Sequence, residues 1–232
     1  MKTVMSSVGD LLTKISLSGE EVRQLNFISN SPNLYFRKYY RQGLRSHIFE
    51  VLPADAVLKE TKGEVIDDVR CFPRAIPKHV LRIMRTRFRT LKDVLGEIKK
   101  YALVLKFLGP ELTATSNEFI VEYTGTGKSQ IVLCGLQEYV EGATLDPWAL
   151  FGQTPLKTLY RSSFPGEASE KSWMENAIES ISSFVRRSRR MIVDEGHIPD
   201  LAGNGNLILT KAGSVKLVDT TTSSGSINTR PS

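Results

Sequence analysis

The residues best suited to chemistry lie near the C-terminal end of the sequence. Asp200-Leu-Ala-Gly-Asn-Gly-Asn206 is followed by Val215-Lys-Leu-Val-Asp219, so carboxylates and side-chain amides gather in one short stretch. Their oxygens are hard donors of the kind magnesium prefers. The same residue types also favour tight turns, because Asp, Asn and Gly tolerate or stabilise turn backbone. A second stretch, Gly125-Thr-Gly-Lys-Ser129, tempts toward a phosphate-binding loop. That motif needs a glycine where Glu122 stands and a helix where a strand is expected, so a hairpin turn is the better reading.

Other chemistries are poorly served. Cys71 and Cys134 lie far apart, and His47, His79 and His197 are scattered singly. Neither set has metal-ligand spacing, so structural thiols are expected rather than a zinc site or a disulfide framework. At 232 residues, 41% of them hydrophobic and 24% charged, the chain can bury a core in one or two domains. Its net charge of +6 is uneven: Arg70, Arg74, Lys78, Arg82, Arg85, Arg87 and Arg89 follow one another with no acid between them. Such a cluster suits an anionic partner, whether phosphate, nucleic acid or lipid, and equally suits a solvated face. A second cluster, Arg186, Arg187, Arg189 and Arg190, closes a helix-like segment and complements its C-terminal end. No apolar run reaches the roughly 18 residues of a membrane span, and the N-terminus lacks a signal peptide's apolar centre. A cytoplasmic protein without a membrane span is expected.

The elements that must position these residues follow from periodicity. Leu11, Leu12 and Ile15 have helix spacing. Residues 34–60 read as β-rich, with strands at Ser46–Leu52 and Ala56–Lys59 around the turn Pro53-Ala-Asp55. Leu91, Val94, Leu95, Ile98, Ala102, Leu105 and Leu108 predict a helix stopped by Gly109-Pro110. Strands Glu118–Tyr123 and Gln130–Cys134 form a hairpin about the 125–129 turn. A second long helix is expected over 172–194, its stripe made of Trp173, Ala177, Ile181, Phe184, Val185 and Ile192. Leu207–Thr210 and Val215–Val218 then make a hairpin about Ala212-Gly213, and 220–232 reads as a flexible tail. This order predicts an α+β chain in two lobes, residues 1–138 and 139–219.

With those elements in place, Asp200 to Leu209 is similar to the catalytic loop of protein kinases and aminoglycoside-phosphotransferase-like kinases. There an aspartate is followed by a short loop and an asparagine that opens a strand. The resemblance runs over about residues 40–219. It implies a two-lobed protein-kinase-like fold, with an antiparallel-sheet N-lobe and a short helical C-lobe carrying the catalytic-loop hairpin. It implies Asp200 as the catalytic aspartate, Asn206 and Asp219 as ligands of Mg2+, and ATP as the nucleotide. Ala56-Val-Leu-Lys59 resembles the strand whose lysine holds the α- and β-phosphates. Glu97 is placed like the helix glutamate that pairs with this lysine. Leu136–Leu145 is similar to the hinge between lobes, where the backbone of Glu138 and Val140 would bond adenine.

Two function classes follow. The first is a magnesium- and ATP-dependent phosphotransferase acting on a small molecule or an unusual acceptor. The second is a non-catalytic kinase-like (pseudokinase) module that binds nucleotide or a polyanion. Four features favour the second. The segment Arg41–Ser46 offers only Gly43 for a glycine-rich loop. Pro199 precedes Asp200 where glycine or arginine is usual, and Asn206 stands six positions after Asp200 where the family usually has five, which makes Asn204 a decoy or a second ligand. Thr220 and Thr221 follow Asp219 where phenylalanine and glycine are usual. In that class the basic 70–89 segment is the interaction surface, centred on Arg82, Arg85 and Arg87.

Overall fold

The computed structural model describes residues 13–29, 32–39, 45–125, 127, 129–148, 153–164, 169–201, 205–219 and 222–224. The fold is mixed α+β, as the sequence predicts. The chain divides into two compact units, Met1–Leu95 with Ser116–Tyr139, and Gly96–Thr115 with Val140–Ser232.

The first unit opens with α1 (Gly19–Arg23), closed at its start by a reciprocal capping box between Ser18 and Glu21. Then come β1 (Leu34–Lys38), β2 (Ser46–Pro53), α2 (Ala54–Lys62), the small hairpin β3 (Glu64–Ile66) and β4 (Val69–Cys71), and β5 (His79–Met84). Helix α3 (Leu91–Leu108) follows, belonging to the second unit from Gly96 on, and the chain returns through β6 (Ser116–Tyr123) and β7 (Gln130–Glu138). Among the described residues these build a five-stranded antiparallel sheet in the order β1-β2-β5-β7-β6. Side chains alternate across it. One face packs Phe36, Phe49, Val51, Leu81, Ile83, Val132 and Cys134 under Leu17, Val22 and Leu25 of the α1 region.

The other face carries charge inside the sheet. Register places Arg82 and Glu118 on either side of Gly135. Across that gap Arg82 donates from its guanidinium to Glu118 Oε1 at 2.6 Å, with side chains only 13% and 5% exposed. Ser116 donates to the same carboxylate oxygen at 2.7 Å. The pair needs the missing side chain, because a Cβ at Gly135 would stand 2.6 Å from Glu118 Oε1 and 2.9 Å from Ser116 Oγ. On the same face Arg37 bonds Glu50 and Glu60 at 2.6 and 2.7 Å.

The second unit holds β8 (Gly142–Leu145), α4 (Gln153–Ser163), α5 (Glu170–Glu195), β9 (His197–Pro199), β10 (Leu207–Thr210), β11 (Val215–Leu217) and β12 (Thr222–Ser224). Its three-stranded sheet has the order β11-β10-β8. Against it pack Trp173, Met174, Ala177, Phe184 and Met191 of α5, with Val104 and Leu108 of α3. Trp173 is the centre of this core: it contacts the rings of Tyr160 and Phe164, and its indole donates to Thr210 O at 3.2 Å. Gly213 turns the β10–β11 hairpin with φ +80, and a side chain there would meet Trp173 O at 2.8 Å.

Several sequence expectations are corrected. Ala56–Lys59 is not a strand; it lies inside α2. Ala, Leu, Lys and Glu favour helix, Asp55 sits in its first turn, Lys59 and Lys62 in its last, and Gly63 ends it at φ +76. Ile15 belongs to no helix and is exposed, while Leu11 and Leu12 lie outside the described residues. The stripe of α3 is rotated: Leu91, Leu95 and Ala102 are exposed, and Val94, Val104 and Leu108 are buried. On α5 Val185 faces solvent, while Met174, Ser188 and Met191 are buried instead. Part of the expected tail is a strand, since Thr222–Ser224 pairs with β9.

Two outcomes follow from the first unit. Replacing Glu118 by alanine strands a buried guanidinium and lowers unfolding free energy by roughly 3–5 kcal/mol in urea titrations. The double change Glu118→Leu with Arg82→Met recovers most of it, and a single-mutant loss below about 1 kcal/mol contradicts the pair's burial. Burial, helped by nearby Glu118 and opposed by Arg82, pushes the Cys134 thiol up to about 12, whereas Cys71 is half-buried. A thiol reagent therefore labels Cys71 in the native protein and Cys134 only on unfolding; equal native rates contradict this.

Candidate functional site

The C-terminal unit brings three of the sequence-derived residues to one place. Helix α5 ends at Gly196, whose left-handed backbone (φ 67) turns the chain into β9. Asp200 follows immediately. After the loop, Gly205 at φ +101 delivers Asn206 to the start of β10. Asn206 then works as a tie in two directions. Its side-chain Nδ2 donates to Asp200 O at 2.9 Å, and its own carbonyl accepts from Val218 N at 2.8 Å. The second bond extends the β10–β11 pairing, in which Leu207 stands opposite Leu217, and leaves Asp219 one residue beyond. The β9–β12 pairing approaches the same end from outside, with Pro199 opposite Thr222. Asp200 directly follows Pro199 and Asp219 directly follows Val218, so backbone pairing fixes both carboxylate-bearing residues beside Asn206.

All three residues are half-buried. Their side chains offer two carboxylates and an amide whose Nδ2 is already committed, leaving Oδ1 as its acceptor end. These are hard oxygen donors and fit magnesium. Among the described residues no group of three or more His, Cys, Asp and Glu converges. A magnesium ion held by Asn206 and Asp219 would complete its shell from phosphate oxygens and water, the usual way this ion is held by nucleotide-binding proteins. Asn204 lies outside the described residues, as does Gly43.

The upstream residues fare differently. Lys59 sits on α2, outside the sheet, half-exposed, with its ammonium 2.7 Å from Glu64 Oε2. That bond and the Glu64 charge hold the lysine above its usual range. Glu97 falls in the same α3 stripe as Val94, Tyr101, Val104 and Leu108, but its carboxylate accepts from Lys100 at 2.7 Å, one turn along the helix. The expected Lys59–Glu97 pair is thus replaced by two local ion pairs. Glu138 closes β7 opposite His79. Val140 lies in the link 139–141 between β7 and β8, where the chain passes from one compact unit to the other.

Arg82, expected on a basic surface, is instead held inside the sheet by Glu118. The available signal was its place in the alternation of His79–Met84, where Leu81 and Ile83 mark one face and Arg82 the other.

Asn206→Ala removes one side-chain hydrogen bond and should lower unfolding free energy by about 1 kcal/mol, while Lys59→Ala leaves the melting temperature unchanged. The reverse ranking contradicts the roles given to these two residues. Neither the models of known protein families nor the curated protein sequences give a match to this chain, so the function of this hairpin rests on its own chemistry.

Proposed function

We propose that the chain is a magnesium- and ATP-dependent phosphotransferase of kinase-like fold, acting on a hydroxyl of a small-molecule or unusual acceptor. The observation that carries this reading is the double tie made by Asn206, which sets Asp200, Asn206 and Asp219 at one end of a hairpin. Phosphoryl transfer asks little covalent chemistry of a protein; it asks for positioned charge and a positioned nucleophile. In this reading Asn206 Oδ1 and the Asp219 carboxylate hold the metal, and Asp200 accepts a hydrogen bond from the acceptor hydroxyl. Bound magnesium supplies charge neutralisation on the phosphate oxygens.

The order of elements supports the same reading. Strands β1 to β5, interrupted by α2, precede helix α3, and the β6–β7 pair, a short link, β8, two helices and the β10–β11 hairpin come after it; the run from α3 onward follows the order that the resemblance implies. Lys59 is not carried forward as the phosphate cation. The sheet strand that comes directly before α3 is β5, and its cation is Arg82, held by Glu118. Arg82 is spent on Glu118 within the first unit, so neither residue is given a role at the hairpin.

A thermal-shift series with ATP tests this proposal. The melting temperature should rise with ATP plus magnesium and not with ATP plus chelator, because a ligand that binds only the folded state stabilises it. At ATP a hundredfold above Kd the stabilisation is about 2.7 kcal/mol. Asp219→Ala should abolish the magnesium-dependent part. A shift that persists unchanged in Asp219→Ala, or no shift in the parent protein, contradicts the metal assignment.

A further inference from the structure

The basic 70–89 segment does not form one surface. Strand β5 separates its two halves, and six residues of strand span about 20 Å. Arg82 is taken by Glu118, and Arg85 is half-buried. Beyond β5 lie Arg87-Phe88-Arg89, with both arginines exposed and the phenylalanine half-buried between them. These three residues line a groove with Ser129, Gln130 and Ile131 from the start of β7, enclosing about 390 Å³.

The lining of this groove is chemically mixed in a particular way. Arg87 and Arg89 supply guanidinium groups, which suit phosphate better than any other anion-binding side chain. Phe88 supplies an aromatic surface. Gln130 Oε1 is buried and accepts no hydrogen bond, although the Gln130 backbone is engaged opposite Tyr123. A buried acceptor left unpaired is costly and asks for an N–H or O–H donor. The Glu122 carboxylate, opposite Ile131, accepts a hydrogen bond from the Ser129 hydroxyl. It offsets part of the arginine charge and leaves the Ser129 oxygen as an acceptor.

We infer that this groove binds single-stranded nucleic acid, with Arg87 and Arg89 on the phosphate backbone, a base against Phe88, and a sugar hydroxyl or base amino group donating to Gln130. A free phosphate uses the arginines alone. A duplex presents phosphates but keeps its bases stacked, so the aromatic and the amide go unused. An unstacked strand uses all three kinds of group, which is the usual composition of single-strand sites. All the residues of this site belong to the first unit, and it needs no metal.

Fluorescence anisotropy of a labelled twelve-nucleotide oligouridylate, measured in chelator without ATP, tests the inference. The parent protein should bind, with affinity falling as salt rises. Arg87→Ala combined with Arg89→Ala should weaken binding at least tenfold and reduce the log–log salt slope by about 1.4, the value for two contacts on a single strand. Phe88→Leu keeps apolar volume, removes the aromatic face, and should weaken binding roughly fivefold or more with the slope unchanged. Lys78→Ala, at the far end of β5, should change little. Melting curves of each variant establish that it is folded.

No binding at low salt overturns the inference. So does double-arginine binding equal to the parent's. Equal competition by heparin, duplex DNA and the oligouridylate, together with a neutral Phe88→Leu, overturns it in favour of a general polyanion surface. Because magnesium and ATP are absent, none of these outcomes depends on the phosphotransferase reading.

Discussion

The arrangement at the C-terminal hairpin depends on one residue, Asn206, whose side chain donates to the Asp200 carbonyl and whose backbone carbonyl accepts from Val218 N. Neither bond contributes more than about 1–1.5 kcal/mol by itself. Their value is geometric. A carboxylate on a free loop samples many positions, whereas one flanked by a paired strand and a tied carbonyl samples few. The hairpin in turn is rigid because its far end is fixed: Gly213 makes the turn close against α5, and Trp173 holds Thr210 from beneath. Packing at one end of a four-residue strand thereby sets polar chemistry at the other.

The first unit solves a different problem, that of charge inside a sheet. Three neighbouring strands contribute arginine, glycine and glutamate at one level, and the glycine lets the outer two meet. A buried ion pair of this kind adds little net stability, because desolvation offsets most of the attraction. It does fix the position of a guanidinium to within hydrogen-bond tolerance on a polar sheet face that also carries Arg37, Glu50 and Glu60.

Much of this was legible in the sequence where one strong period governed. Helix α3 starts and stops at the expected residues because Gly109-Pro110 gives an unambiguous end, and α5 agrees within two residues at its start. The β10–β11 hairpin was legible from its alternation and from Gly213. Segment 56–59 was misread because four residues cannot distinguish a strand from part of a helix. The deciding signals lay outside it, in Asp55 before and Gly63 after. Helix stripes were rotated because both α3 and α5 carry more apolar residues than one face can bury, leaving Leu95 and Val185 in solvent. The Arg82–Glu118 pair was not legible at all: its partners are 36 positions apart and depend on strand register. The candidate site was the reverse case. Asp200, Asn206 and Asp219 are close in sequence, so local pairing alone brought them together, while Lys59 and Glu97 required long-range placement and each found a partner nearby instead.

The central claim is that the open end of the β10–β11 hairpin is a metal-nucleotide site. Manganese is a paramagnetic ion with the same preference for oxygen ligands as magnesium, and NMR relaxation in its presence with ADP reads the site directly. The account predicts selective broadening of the Asn206 side-chain amide and of the Val218 and Asp219 backbone amides. It predicts that the Trp173 indole, bonded to Thr210 at the other end of the hairpin, stays sharp at the same manganese concentration. Broadening of the indole before the Asn206 amide, or uniform broadening without preference for residues 206 and 218–219, contradicts it.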